Sequence, residues 1–321
     1  MCNNMLMDDK HVKIVSDIIE KDLNRKPSTI TRMTRGITNE VYLVDFADQK
    51  VVVRMNTNPE QLKGSVKYIT LFDSLGIKVP KILSQDYTKK SFPFAYHVLS
   101  YIEGKDIGDV IESLTESELI GIAHEIVEIF QKLEKIPTNG KFGWIGFDES
   151  KSFNKWSEVI NLEKAEERNL LTKVIDEDLL NKMRIFYSGF KPYLESVKST
   201  MYYADLNYKN VLVNNGKFTG LIDLDDITYG DPLEALGRIK ACWHNTKYGD
   251  TYLNAIEKGL GLKTKEKIIV NYYAVITRYN WLSYEGVKFN ANTTNEIDYK
   301  RVENDKKILI DLLQGIGNHV L

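Results

Sequence analysis

The chain has 321 residues, 43% hydrophobic and 27% charged, with 20 glycines and 7 prolines, which excludes a disordered or fibrous protein and leaves room for about two folded domains. With 43 Lys and Arg against 45 Asp and Glu, the net charge of -2 gives no electrostatic reason to expect a nucleic-acid or membrane-surface partner. Cys2 and Cys242 lack metal-type spacing and suit a reducing compartment. MCNNMLMDDK does not read as a signal peptide, and no uncharged run approaches the roughly 18 residues of a spanning helix, so a cytoplasmic location is expected.

In chain order, residues 1–26 predict a helix, because Val12, Val15, Ile18, Ile19 and Leu23 recur at helical spacing. EVYLVDF and KVVVRM, separated by Ala47 to Gln49, predict a β-hairpin rich in β-branched residues. Helical periodicity returns over 59–75, LGIKVPKIL leads through Gly76 and Pro80 to a short strand, and 92–102 makes another apolar strand. After Gly104 the texture is mostly helical. Thr115 and Glu118 have capping-box spacing, and Leu119, Ile122, Ala123, Ile126, Phe130 and Leu133 then form one apolar stripe. Further helices are expected over 155–170, 177–196, 232–245, 251–260, 264–284 and 299–314.

One segment interrupts the helices. YYADLNYKNVLV (202–213) and FTGLIDLDDITYGDP (218–232) flank Asn215-Gly216, the dipeptide favoured in a type I′ hairpin turn. The hairpin would place Asp205 and Asn210, before its first strand, beside Asp223, after its second. An Asp, an Asn five residues later and a further Asp beyond a hairpin is a layout suited to phosphoryl transfer. Mg²⁺ takes hard oxygen ligands and is held by few protein groups, which Asn210 and Asp223 could supply, with Asp225 as a second carboxylate on the same strand face. Asp205 would orient an acceptor hydroxyl and take its proton. Walker, GxGxxG, HExxH and GxSxG motifs are absent.

With Asp205, Asn210, Ile222-Asp223 and Gly230-Asp231-Pro232 at these spacings, the chain resembles the aminoglycoside phosphotransferase and choline kinase family, small-molecule relatives of protein kinases. The resemblance implies an α+β, protein-kinase-like bilobal fold: an antiparallel-sheet lobe over 1–103 and a larger helical lobe over 104–321. It also implies ATP as donor, with GTP compatible, Mg²⁺ as cofactor and a small-molecule hydroxyl acceptor. RGITNEVYLV resembles the phosphate-covering hairpin, with Gly36, Thr38 and Asn39 toward phosphate. Arg54 in KVVVRM stands where the family has its phosphate-binding base. HVLSYIEG resembles the hinge whose backbone meets the nucleotide base, at Ser100 and Ile102.

Two positions depart from the family pattern. Tyr203 stands where a His usually precedes the catalytic Asp by two, and Ser65 stands where a Glu usually pairs with the basic strand residue, with Glu60 nearby but out of register. These departures leave an alternative open, a nucleotide-binding protein without catalysis that acts through a partner. Asp231, Pro232 and Glu234 fit either a helix cap or, at Asp231, a substrate contact. Tyr279, Trp281, Tyr284 and Glu285 fit either a helix core or an acceptor pocket for a cationic amine; an amino alcohol such as choline and an aminoglycoside are both compatible, with the GITN hairpin and Arg54 tilting the resemblance toward the first.

Overall fold

The computed structural model describes residues 2–36, 38–145, 152–288 and 294–316. The chain divides into two compact units, Met1–Ile102 with Lys288–Thr294, and Glu103–Val287 with Asn295–Leu321.

The first unit contains α1 (Cys2–Leu23), β1 (Thr29–Met33), β2 (Glu40–Asp45), β3 (Lys50–Asn56), α2 (Glu60–Ser74), β4 (Ile82–Asp86) and β5 (Ala95–Ser100). Its five strands form one antiparallel sheet in the order β1-β2-β3-β5-β4. Strand alternation sorts the side chains: Val51, Val53 and Met55 of β3 join Tyr42 and Val44 of β2 and Tyr96 and Val98 of β5 in a core sealed by Val15, Ile18 and Ile19 of α1. Arg54 projects to the other face, where α2 buries Ser65, Tyr68, Ile69 and Phe72. β1 went unread in the sequence. It is an edge strand whose residues alternate between exposed and half-buried, so TITRM carries little apolar signal.

The second unit begins with β6 (Lys105–Asp106), the short α3 (Ile107–Val110), α4 (Glu116–Leu133) and β7 (Gly143–Trp144). The helices α5 (Trp156–Val159), α6 (Glu163–Thr172) and α7 (Glu177–Ser196) follow, then β8 (Thr200–Tyr203), β9 (Val211–Asn214), β10 (Lys217–Leu221) and β11 (Ile227–Gly230). Four helices close it: α8 (Leu233–Cys242), α9 (Lys247–Gly259), α10 (Thr264–Ser283) and α11 (Tyr299–Ile316). The expected stripe on α4 is buried, and Thr115 and Glu118 form the capping box. The β9–β10 hairpin turns at Asn215 (φ 48°) and Gly216 (φ 72°), the two positive φ angles that a type I′ turn requires.

Three expectations need correction. The helix over 155–170 is two helices, broken where the Asn161 side chain accepts from the Glu163 N–H at 2.8 Å. The 251–260 helix starts earlier, at Lys247, because the Thr246 hydroxyl caps it through the Gly249 N–H. The segments flanking the β9–β10 hairpin are themselves strands, β8 and β11, paired in a small sheet with β7. Thr115→Ala, which removes the α4 cap, is expected to lower unfolding stability by about 1 kcal/mol, read from the denaturant midpoint at unchanged m-value.

Candidate active site

The site in the second unit is built on two loops, 204–210 and 222–226, each running from one β ladder to another. β8 pairs with β11 with Tyr203 opposite Ile227, and β9 pairs with β10 with Val211 opposite Leu221. Both loops are therefore fixed at both ends, and backbone pairing continues into them. The Ala204 N–H donates to the Asp226 carbonyl at 3.2 Å, and the Ile222 N–H to the Asn210 carbonyl at 3.0 Å.

The first loop joins Asp205 and Asn210 directly. Nδ2 of Asn210 donates to Oδ2 of Asp205 at 2.6 Å, which commits the amide nitrogen and leaves the amide oxygen for a cation. Asn210 and Asp223 both hold left-handed backbone, at φ 74° and 58°, a conformation that Asn and Asp tolerate better than most residues. An amide oxygen and a carboxylate suit a hard divalent ion that takes its remaining ligands from phosphate and water. Among the described residues no group of three or more His, Cys, Asp or Glu is arranged to hold a metal. Asn210 and Asp223 each carry an oxygen donor of the kind Mg²⁺ takes.

The sequence reading missed the support beneath this loop. Oδ1 of Asp106 accepts from the Asn210 N–H at 3.0 Å, and the Gly108 N–H donates to the Tyr208 carbonyl at 2.9 Å. A Cβ at position 108 would lie 2.4 Å from the Tyr208 ring, so only glycine lets the two backbones meet. No short-range pattern could have paired these residues, which lie about a hundred positions apart in the chain. Arg238 on α8 was missed too: its Nη1 meets Oδ2 of Asp226 and its Nε meets Oε1 of Glu234, both at 2.6 Å.

Burial pushes the Asp205 carboxyl up to about 7, with the Asp226 carboxylate adding to the rise and the Arg238 guanidinium and Asn210 amide opposing it. A carboxyl held in that range can take up and release a proton near neutral pH. Tyr203 fills the position where a His was expected. Its phenol is buried and donates to the carbonyls of Ile222 at 2.9 Å and Asp223 at 3.0 Å, so the first loop's leading strand grips the backbone of the second loop.

Several expected positions fall elsewhere. Asp225 does not share a strand face with Asp223, because 222–226 is not extended: the left-handed φ of Asp223 and a turn at residues 224–225 break the alternation. Asp231 is buried in the core, where its carboxylate accepts from the hydroxyls of Tyr193 at 2.6 Å and Tyr273 at 2.8 Å and from the Leu233 N–H. It has a structural role at the start of α8, and Glu234 turns to Arg238 and Tyr202 instead of completing a capping box. The groups suggested for a cationic acceptor meet the chain's own cations. The Arg278 guanidinium lies 5.0 Å from the Trp281 ring, Arg168 lies 4.3 Å from Tyr284, and Glu285 is paired with Arg301 at 2.7 Å. Tyr279 is fully buried on α10.

In the first unit, Arg54 is buried, not an exposed edge residue, and Nη1 reaches the Ser65 hydroxyl at 3.4 Å. Ser65 thus occupies the partner position with a neutral group, while Glu60 pairs with Lys63 at the surface. His97 lies opposite Arg54 on β5, and burial, reinforced by the Arg54 charge, holds its imidazole well below the usual range and therefore neutral. The Asn39 side-chain oxygen and the Thr38 carbonyl both accept from the Asn56 amide, which anchors the loop after Gly36 to the end of β3. Ser100 spends its N–H on the Lys81 carbonyl and its hydroxyl on the Lys81 N–H, so of the two expected base-contacting positions it has no main-chain donor to offer. Ile102 lies beyond the strand.

Comparison with known proteins agrees with this architecture. Among solved structures, a thermostable mutant of aminoglycoside phosphotransferase APH(4)-Ia superposes with a TM-score of 0.70 at 14% identity, covering 95% of this chain and 100% of that one. Its ternary complex with AMP-PNP and hygromycin B gives 0.68 at 15% identity over 95% and 99%. The GDP and kanamycin complex of APH(2")-IIia gives 0.72 at 14% identity over 94% and 98%. Among curated protein sequences, none matches the chain. The fold is protein-kinase-like. The profile of the phosphotransferase enzyme family matches residues 29–268, three quarters of the chain, and the protein belongs to that family. No described helix is long and apolar enough to cross a membrane.

Tyr203→Phe removes a donor from two carbonyls inside the protein, at a cost of about 1–3 kcal/mol. The variant is expected to lower the melting midpoint and to reduce kcat more than it raises KM, as calorimetry and steady-state kinetics would show.

Proposed function

We propose that the protein transfers the γ-phosphoryl group of ATP to a hydroxyl of a small, amine-bearing molecule, with Asp205 as the base. The acceptor oxygen attacks the γ-phosphorus, the bond to the β-phosphate oxygen breaks, ADP leaves, and the hydroxyl proton passes to Asp205. Asn210 and Asp223 would hold Mg²⁺, which when bound neutralises charge on the phosphates. Arg54 would steady the donor phosphates, with Gly36, Thr38 and Asn39 at the loop that covers them and the backbone of Ile102 meeting the base. The observation that carries the reading is the 2.6 Å bond from the Asn210 amide to Asp205, which joins the base to an oxygen ligand in one loop.

The catalytically silent alternative rested on Tyr203 and Ser65. It loses ground because Tyr203 still ties the two loops together and Ser65 still reaches Arg54. Within the acceptor class, a quaternary ammonium held by an aromatic cage has the least support, since Arg278 and Arg168 already lie against Trp281 and Tyr284. Acceptors with several hydroxyl and amino groups, of the aminoglycoside kind, are favoured over choline-like ones.

The deciding measurement is acceptor-dependent ADP release across a panel of aminoglycosides and amino alcohols, with Mg²⁺ and with chelator. Release with at least one acceptor, abolished by chelator, is expected, and no release with any acceptor would overturn the proposal. Asp205→Ala is expected to abolish turnover while leaving ATP affinity nearly intact, and Asp223→Asn to weaken Mg²⁺-dependent nucleotide binding in a titration. Turnover that survives Asp205→Ala would remove Asp205 from the chemistry.

A further inference from the structure

Arg238 lies one helical turn after Glu234 on α8, and no motif in the sequence marks it. We propose that Arg238 is a positioning residue for phosphoryl transfer, clamping Asp226 to α8 and thereby fixing the second active-site loop against the first. The inference rests on the phosphotransferase reading above.

The contacts form a closed ring. Nη1 of Arg238 holds Oδ2 of Asp226, whose main-chain carbonyl accepts from the N–H of Ala204, the residue before Asp205. Nε of Arg238 holds Oε1 of Glu234, whose other oxygen accepts from the Tyr202 hydroxyl at 3.1 Å. Tyr202, in β8, and Ala204, just after that strand, belong to the same stretch of chain, so the guanidinium closes a loop through the backbone that delivers Asp205. A planar guanidinium can serve two carboxylates in fixed directions, whereas a lysine ammonium is a single point charge on a flexible stem.

The partners' burial shows what the clamp is for. The Glu234 side chain is 7% exposed, so that half of the contact compensates a buried charge. The Asp226 side chain is 31% exposed, and water could solvate it without Arg238. The Asp226 half of the contact therefore serves direction more than charge compensation. What it directs is the 222–226 loop, which carries Asp223 and ends at Asp226, where Ala204 is tied.

Asp226→Asn is the decisive variant, since it keeps the shape and the backbone bond to Ala204 while removing the ionic contact. Arg238→Lys keeps the positive charge but not the fork. Both are made in the full chain, checked for folding by circular dichroism, and assayed with the acceptor found for the wild type. Loss of alignment is expected to lower kcat by about 10- to 100-fold with KM for ATP little changed, and the double variant to be no worse than the more damaged single one. Amide hydrogen exchange of the 204–210 segment is expected to quicken in Asp226→Asn. A folded Asp226→Asn protein with kcat within about twofold of wild type overturns the proposal, because a merely structural contact would shift the melting midpoint and leave turnover alone. If Arg238→Lys does not fold, Asp226→Asn decides by itself. If the wild type turns over no acceptor, the functional reading fails and the exchange measurement alone decides the clamp: unchanged protection of 204–210 overturns it.

Discussion

The hydroxyl of Tyr203 lies within hydrogen-bond distance of two consecutive carbonyls, those of Ile222 and Asp223, and the two candidate site loops of the second unit are arranged around that contact. It joins the strand that leads into the Asp205 loop to the loop that carries Asp223. The ladders β8–β11 and β9–β10 fix the four ends of the two loops, but ladders alone leave the middle of each loop free to choose a conformation. The phenol removes that freedom on one side. The Asp106 carboxylate, which accepts from the Asn210 N–H, removes it on the other. Held in this way, Asn210 and Asp223 keep left-handed backbone, a conformation that local sequence preference alone would not guarantee.

The surrounding charges follow from the same arrangement. Asp205 has two further carboxylates near it, from Asp226 and Asp223, and its carboxyl is raised accordingly, with Arg238 as the opposing cation. Like charges gathered in a partly buried site repel, and two of these carboxylates are held by directional partners: Asp205 by Asn210 and Asp226 by Arg238. The first unit shows a comparable economy. Arg54 is buried beside a neutral serine, whose hydroxyl it reaches, and a neutral imidazole.

Much of the site was legible because its spacing is local. Asp205 and Asn210 are five residues apart, Asn215-Gly216 has a turn chemistry that few other dipeptides share, and the capping box of Thr115 and Glu118 spans a single turn. The remaining positions depend on packing, which spacing does not show. Asp225 was placed by extending strand alternation into a segment whose backbone turns at Asp223, and alternation holds only while the chain stays extended. Trp281, Tyr284 and Glu285 have the composition of a cation site, but composition does not show that Arg278, Arg168 and Arg301 reach them first. Asp231 was compatible with a substrate contact until Tyr193 and Tyr273, from two distant helices, converged on its carboxylate.

The amino-acid sequence by itself determined the hairpin, the helix stripes, the order of the chemical groups and the family, because each depends on residues within a few positions of one another or on their spacing along the chain. The tertiary structure decided which polar groups meet one another inside the protein. That outcome depends on hydrogen bonds such as those of Asp106 with Asn210 and Arg238 with Asp226, whose members come together only when separate elements pack. A carboxylate or an aromatic ring looks the same in sequence whether a neighbour has claimed it or not, and only the packed chain tells the two apart.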